Sequence, residues 1–402
     1  MVQKQDFLHS ESFLISIICC FSLCCLLYAV STLSISYYEA EIFYNSGSMA
    51  GVMSRFFVSI FGHNDYALRS PFLISHIISI VLLYKISKSI LKRKFDRVVS
   101  VLIFIFLPGV IASAILVNDA GIVIMLALLG IYLYQIRQTV AFYLVLVLLA
   151  FASDSFLAYF IALFIFGIYK KDGQLAWLSA ILFSICLSIY GFDTGGKPRG
   201  YFLDTISIFA AVFSPFVFIY FVYCMYRIWV KEQKNLLWFV VITSFCLCLV
   251  ASIRQRLEIE NFLPFCVIAT PLIVRVFFNS YRVRLPIFRK SYKFMTSFVA
   301  FSLVINFVFV LFNEIFYIYA QNPKKHFAYK YHIAKELSIK LKEMDIKNVQ
   351  TDERLALRLK FYGIENGKTK LINLDLKDNY ANITTERFGK PIAKFKLIQE
   401  DI

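Results

Sequence analysis

The chain has 402 residues, of which 59% are hydrophobic and 17% charged, and its formal net charge is +16. A mean hydropathy of +0.69 excludes an ordinary soluble domain of this length and points to a helical protein with many membrane spans. Much of the positive charge falls in short loops between apolar runs, where Lys and Arg set orientation and meet anionic headgroups, so nucleic acid is not an expected partner.

The first apolar run, 13–33, is too long for a signal-peptide core and reads as a retained span. Apolar windows of about 17–25 residues predict eleven spans, near 12–35, 68–90, 98–116, 119–135, 139–152, 154–169, 175–191, 204–226, 236–252, 261–278 and 294–319. Basic clusters fall in the loops at 85–97, 170–171, 227–234 and 282–293. With eleven spans all four lie on one side, which the positive-inside rule makes cytoplasmic; the N-terminus is then inside and the C-terminus outside. In the first outer loop, 36–67, apolar residues such as Ile42, Phe43, Val52, Phe56 and Ile60 recur at near-helical spacing. That pattern predicts one or two amphipathic helices along the membrane surface.

From about Gln321 the composition turns polar; a helical period over 332–344 and alternation at 370–376 and 393–398 predict a small soluble α/β appendage. The expected organisation is thus an all-α polytopic membrane domain, 1–320, followed by a C-terminal α/β domain, 321–402, on the extracytoplasmic side. All nine cysteines lie inside apolar runs and read as small hydrophobes rather than metal ligands.

Carboxylates near membrane ends single out candidate chemistry, because burying one at the bilayer centre costs roughly 2.5–3.5 kcal/mol. Glu39 and Glu41 follow the first span in Tyr37-Tyr38-Glu39-Ala40-Glu41, Asp119 lies in the break Val117-Asn118-Asp119, and Asp154 sits in Ser153-Asp154-Ser155. Asp119 also fits a helix-starting acid capped by Asn118, and capping is the favoured reading of Asp154. Glu41, two residues past Glu39, faces away from it on a helix. Arg254 and Arg256 lie outside, against the orientation rule, which suits a phosphate ligand; ion pairs with Glu258 and Glu260 are the alternative.

The order Tyr38-Glu39-Ala40, Phe61-Gly62, Leu68-Arg69-Ser70-Pro71, the basic 85–97 loop, Pro108 and Asn118-Asp119 resembles the N-terminal half of the GT-C membrane glycosyltransferases. The protein O-mannosyltransferase and aminoarabinose-transferase-like group is the nearest type. A weaker similarity follows at Phe262-Leu263-Pro264, and together they cover about two thirds of the chain. Tyr38 stands where that group has its first aspartate, which leaves Glu39 or Glu41 to supply the carboxylate.

The resemblance implies a transferase of the cell envelope. It would move a sugar, with inversion, from a polyprenyl-phosphate donor to an acceptor hydroxyl on a glycan, lipid or protein at the outer face of a bacterial inner membrane. Glu39 is the expected base, and Asp119 the second catalytic carboxylate, positioning the acceptor or a metal. Tyr38, Glu41, Asn118 and Asp154 are candidates for contact with substrate. Arg254 and Arg256 are expected on the departing phosphate. Arg69 either matches the family element or ties the second span to the surface helices. No cofactor is required by the residues; two carboxylates on one face could hold a divalent cation. The competing expectation is a transporter or flippase of lipid-linked glycans, which predicts interrupted helices and repeated halves.

Overall fold

The computed structural model describes residues 2–191, 200–254, 259–319, 322–376 and 380–398. Helices carry most of these residues, and a small four-stranded sheet lies near the C-terminus. Among the described residues, five helices are long and apolar enough to cross a bilayer: Glu11–Thr32, Asp65–Ile90, Gly173–Tyr190, Leu263–Val283 and Pro286–Leu311. Two bent pairs raise the number to 7 if each is one span: Lys94–Phe106 with Pro108–Ile115, bent by 61°, and Phe202–Phe213 with Pro215–Lys231, bent by 105°. Both bends fall at a proline. Leu107 and Ser214, the residues before each one, leave the helical region (ψ 125° and 137°), as the proline ring demands of its predecessor.

The remaining predicted spans form shorter apolar helices, Ala120–Gln135, Thr139–Ala150, Phe156–Lys170 and Leu236–Ser252. At 1.5 Å per residue even the longest reaches only about 25 Å, short of a hydrocarbon core of about 30 Å. By length and composition alone the span count is therefore five to seven.

Contacts divide the chain into two compact units, each assembled from separate stretches. The first comprises residues 1–23, 72–114 and 119–307. Its core is aromatic and aliphatic, with Phe104, Leu128, Tyr159, Phe160, Phe221 and Phe265 fully buried. Close approach of Phe156–Lys170 to Gly173–Tyr190 depends on Gly167, where a Cβ would stand 2.9 Å from the Ala176 backbone N. The buried carboxylates of this unit are paired: Asp96 accepts from Arg282 at 2.6 Å, and Glu11 accepts from the Tyr84 hydroxyl at 2.7 Å and lies 3.4 Å from Arg97, while half-buried Glu232 lies 2.9 Å from Arg275.

The second unit comprises 24–71, 115–118 and 308–402. Two helices, Tyr37–Asn45 and Met49–Phe61, fill most of the 36–67 stretch. They touch closely at Gly51, where a Cβ would meet the Ile42 carbonyl at 2.6 Å. Arg55 donates to the carbonyls of Phe43 (2.7 Å) and Ser46 (2.9 Å), satisfying the C-terminal end of the first of these helices. Toward the C-terminus come helix Ala334–Glu343, β1 (Asn348–Gln350), helix Glu353–Phe361, β2 (Glu365–Leu374), β3 (Ile383–Arg387) and β4 (Lys390–Ile398). The sheet order is β1-β2-β4-β3. β1 runs parallel to β2 around the crossover helix, while β4 is antiparallel to both neighbours. Phe388 and Gly389 turn β3 into β4 with both φ values positive (50° and 73°), the backbone a two-residue hairpin needs. Leu337, Leu341 and Leu359 from the helices pack on Val349, Leu371, Ile383 and Phe395 from the strands.

Candidate functional site

Residues 33–36 join the first long helix to helix Tyr37–Asn45; the Leu33 N–H and the Ser36 carbonyl still bond to the flanking helices, and the groups between them must find other partners. The second unit supplies them. Ser36 starts the helix with a reciprocal cap: its hydroxyl accepts from the Glu39 N–H (3.3 Å), and the Glu39 carboxylate accepts from the Ser36 N–H (2.8 Å). Arg69 donates to the carbonyls of Leu33 and Ser34, both at 3.2 Å. Arg358 donates to the Ile35 carbonyl at 3.0 Å, the Ile35 N–H donates to the Tyr362 hydroxyl at 3.0 Å, and the Ser34 N–H to the Tyr331 carbonyl at 2.7 Å.

Glu39 lies at the centre and is 2% exposed. Beyond the cap, its oxygens accept from Arg69 Nη2 at 3.1 and 3.3 Å and from the Val117 N–H at 3.0 Å. Arg69 is fully buried, with Asp65 3.5 Å from its other terminal nitrogen. Asp65 also accepts from the Tyr362 hydroxyl at 2.6 Å and pairs with Lys335 at 3.0 Å. Two buried carboxylates thus face two cations, so neither sign is left uncompensated. Burial lowers the Arg358 guanidinium to about 10, which leaves it charged near neutrality. Burial raises the Tyr362 hydroxyl, with the Asp65 carboxylate adding to it; the phenol therefore stays protonated and able to donate. Pro71 cannot donate back to the Ala67 carbonyl, and the Ser70 hydroxyl takes that acceptor at 2.9 Å.

Tyr38 is 59% exposed, with the Lys330 ammonium 5.1 Å from its ring centre. Glu41 is exposed on the face opposite Glu39 and raises the neighbouring Tyr37 hydroxyl by its charge. Arg69, on helix Asp65–Ile90, binds the linker carbonyls and Glu39 of helix Tyr37–Asn45.

Asn118 and Asp119 are half-buried. The cap position of helix Ala120–Gln135 is Asp119 itself, one residue later than the expected Asn118, and its backbone carbonyl accepts from the Val123 N–H at 2.9 Å. Asp154 is half-buried and is not a helix cap; Ser155 holds that position for Phe156–Lys170. Its carboxylate instead accepts from the Asn261 amide at 2.7 Å and the Ser153 hydroxyl at 3.1 Å, while Asn261 accepts from Ser155 at 3.0 Å. Chain breaks more than a hundred residues apart are thereby clamped together. Arg254 is exposed. Arg256 and its expected partner Glu258 lie outside the described residues.

Sequence reasoning missed Asp65, Lys335, Arg358, Tyr362 and Asn261. The Ser36-x-x-Glu39 spacing was a readable capping signature; the others are long-range pairings without a local signal. Among the described residues, no three His, Cys, Asp or Glu side chains gather as a metal site would require. Compared with known protein families and with characterised proteins, the chain finds no match.

Proposed function

We propose that this protein transfers a sugar from a polyprenyl-phosphate donor to an acceptor hydroxyl, with inversion, at the outer face of a bacterial inner membrane. One observation carries the reading. The three elements that resemble GT-C transferases, Tyr-Glu-Ala, Leu-Arg-x-Pro and the Val-Asn-Asp break, meet at one carboxylate: Glu39 binds Arg69 and the Val117 N–H. Unrelated matches scattered along a hydrophobic chain have no reason to share hydrogen bonds. The finer architecture we favour counts the four short apolar helices as crossings, which gives eleven spans, an inner N-terminus and an outer C-terminus.

We divide the work between the carboxylates according to their surroundings. Glu39 has both oxygens engaged by N–H donors and an arginine, so we assign it to holding the reaction region in place. Asp119 is half-buried at the start of a helix, and we assign it the acceptor proton, a role a positioned carboxylate performs in glycosyl transfer. Arg254 and Arg256 would bind the departing phosphate.

The reading is tested with purified full-length protein and a panel of polyprenyl-phosphate sugars, following release of free polyprenyl phosphate. Wild type should turn over at least one donor. Asp119→Asn should lose turnover while remaining folded, and Glu41→Gln should keep it. Turnover by Asp119→Asn at the wild-type rate would remove the assignment. The bent helix pairs at Pro108 and Pro215 are what a transporter of lipid-linked glycans would use. Movement of such a lipid across vesicles without any release of polyprenyl phosphate would establish that second reading instead.

A further inference from the structure

Among the described residues, helices cover the sheet of the second unit on one face. Leu371, Ile383, Ala393 and Phe395 are buried beneath the two helices, so the strand residues between them face away. On that open face each lysine stands opposite an aliphatic residue: Lys370 pairs with Ile398, Ile372 with Lys396, and Leu374 with Lys394. Lys368, exposed two residues earlier, continues the row. Residues 366–374 and Lys390–Ile398 contain no carboxylate; Glu365 starts β2, Asp352 lines a hollow with Lys370 and Ile372, and Glu386 on β3 pairs with Pro391.

Cross-strand alternation keeps ammonium groups from sitting directly opposite one another. It also places exposed aliphatic side chains, Ile372 (37%) and Ile398 (36%), among the charges. A soluble polyanion would neutralise the lysines yet leave those aliphatic groups wet. A phospholipid interface satisfies both, with phosphates on the ammonium groups and apolar stems and side chains against the glycerol and upper acyl region. The unit that carries the sheet also includes the ends of helices Glu11–Thr32, Asp65–Ile90 and Pro286–Leu311, which are long and apolar enough to cross a bilayer.

We propose that this open face docks on anionic phospholipid headgroups. The surface is independent of the transfer chemistry, so it stands or falls separately from it. The test places a photoreactive benzoylphenylalanine at Ile372 of the full-length protein in nanodiscs. Crosslinking to lipid should be strong in phosphatidylglycerol–phosphatidylcholine discs and about fivefold weaker in pure phosphatidylcholine. The Lys368→Gln, Lys370→Gln, Lys396→Gln triple variant should show the same loss, and the matching Lys→Arg triple variant should retain crosslinking. Equal crosslinking in both lipid compositions, or in the Gln variant, would overturn the proposal. Labelling of an added soluble anionic polysaccharide in preference to lipid would overturn it too, and would assign the face to that polymer.

Discussion

Replacing Glu39 by Gln should loosen the linker Leu33–Ser36 far more than its chemical modesty suggests. The carboxylate receives two backbone N–H groups and Arg69, and hydrogen bonds to a charged group contribute about 1.5–3 kcal/mol each. Removing one partner of a buried pair costs about 3–5 kcal/mol because the other charge stays behind. Asp65 remains 3.5 Å from Arg69 and keeps part of that charge balanced, which places the expected loss near the lower end, about 3 kcal/mol. Arg69→Met should cost more, since it strips a cation from two carboxylates. The Glu39→Gln/Arg69→Met double variant should lose less than the sum of the singles by about 2 kcal/mol, as residues sharing one network do. Tryptophan fluorescence reports poorly here, because Trp177, Trp229 and Trp238 all belong to the first unit. Hydrogen exchange of peptides covering 36–45 and 353–362 reads the second unit directly, and the predicted loss is roughly a hundredfold faster exchange. Exchange within about twofold of wild type in Glu39→Gln would refute the account of a central, load-sharing carboxylate.

Other perturbations follow from the same geometry. Tyr362→Phe leaves the Ile35 N–H and one Asp65 lone pair without partners, so exchange of 353–362 should reflect a loss of about 1–3 kcal/mol; no change would mean water replaces the hydroxyl freely. Burial depresses His332 to about 3 from its ordinary 6.5. The folded state therefore binds fewer protons, and its contribution is complete above pH 6.5 and lost as pH falls toward 3, by up to about 1.4 kcal/mol per pH unit. Exchange of helix Ala334–Glu343, corrected for intrinsic rates, should show that slope in wild type and a flatter one in His332→Gln. Gly51→Ala should destabilise the helix pair Tyr37–Asn45 and Met49–Phe61 by about 1–3 kcal/mol, because its Cβ meets the backbone oxygens of Ile42 at 2.6 Å and Ser46 at 3.0 Å. Gly47→Ala, with nothing within 4 Å, should be neutral; equal effects in exchange of 37–61 would contradict the close contact.

Local features of this chain were legible and distant ones were not. Helical spacing announced helices Tyr37–Asn45 and Met49–Phe61, and alternation announced β2 and β4, because both periods are properties of neighbouring residues. The opposite faces of Glu39 and Glu41 followed from helical geometry alone. By contrast, nothing near Asp65 announces Tyr362, some three hundred residues onward, and nothing near Asp154 announces Asn261. Span counting fell between these cases: apolar windows fell on the long apolar helices, but Asp119, Gln138 and Ser155 start helices too short to be read as crossings from length.

The polar cluster explains why the C-terminal residues cannot be treated as a removable attachment. The linker Leu33–Ser36 leaves one helix and starts another within four residues, so the N–H and C=O groups between its two ends need partners that regular structure does not supply. Apolar packing can bury such a linker but cannot satisfy it. Tyr331, Arg358 and Tyr362 do so for Ser34 and Ile35, and Lys335 with Tyr362 holds Asp65. Deleting residues 325–402 would orphan the Ser34 N–H and both backbone groups of Ile35, at about 1–3 kcal/mol each wherever water cannot follow. Loss of activity in such a truncation would consequently report a displaced linker as readily as a lost acceptor site. Point changes at Lys368, Lys370 and Lys396, which make none of these bonds, separate the two explanations.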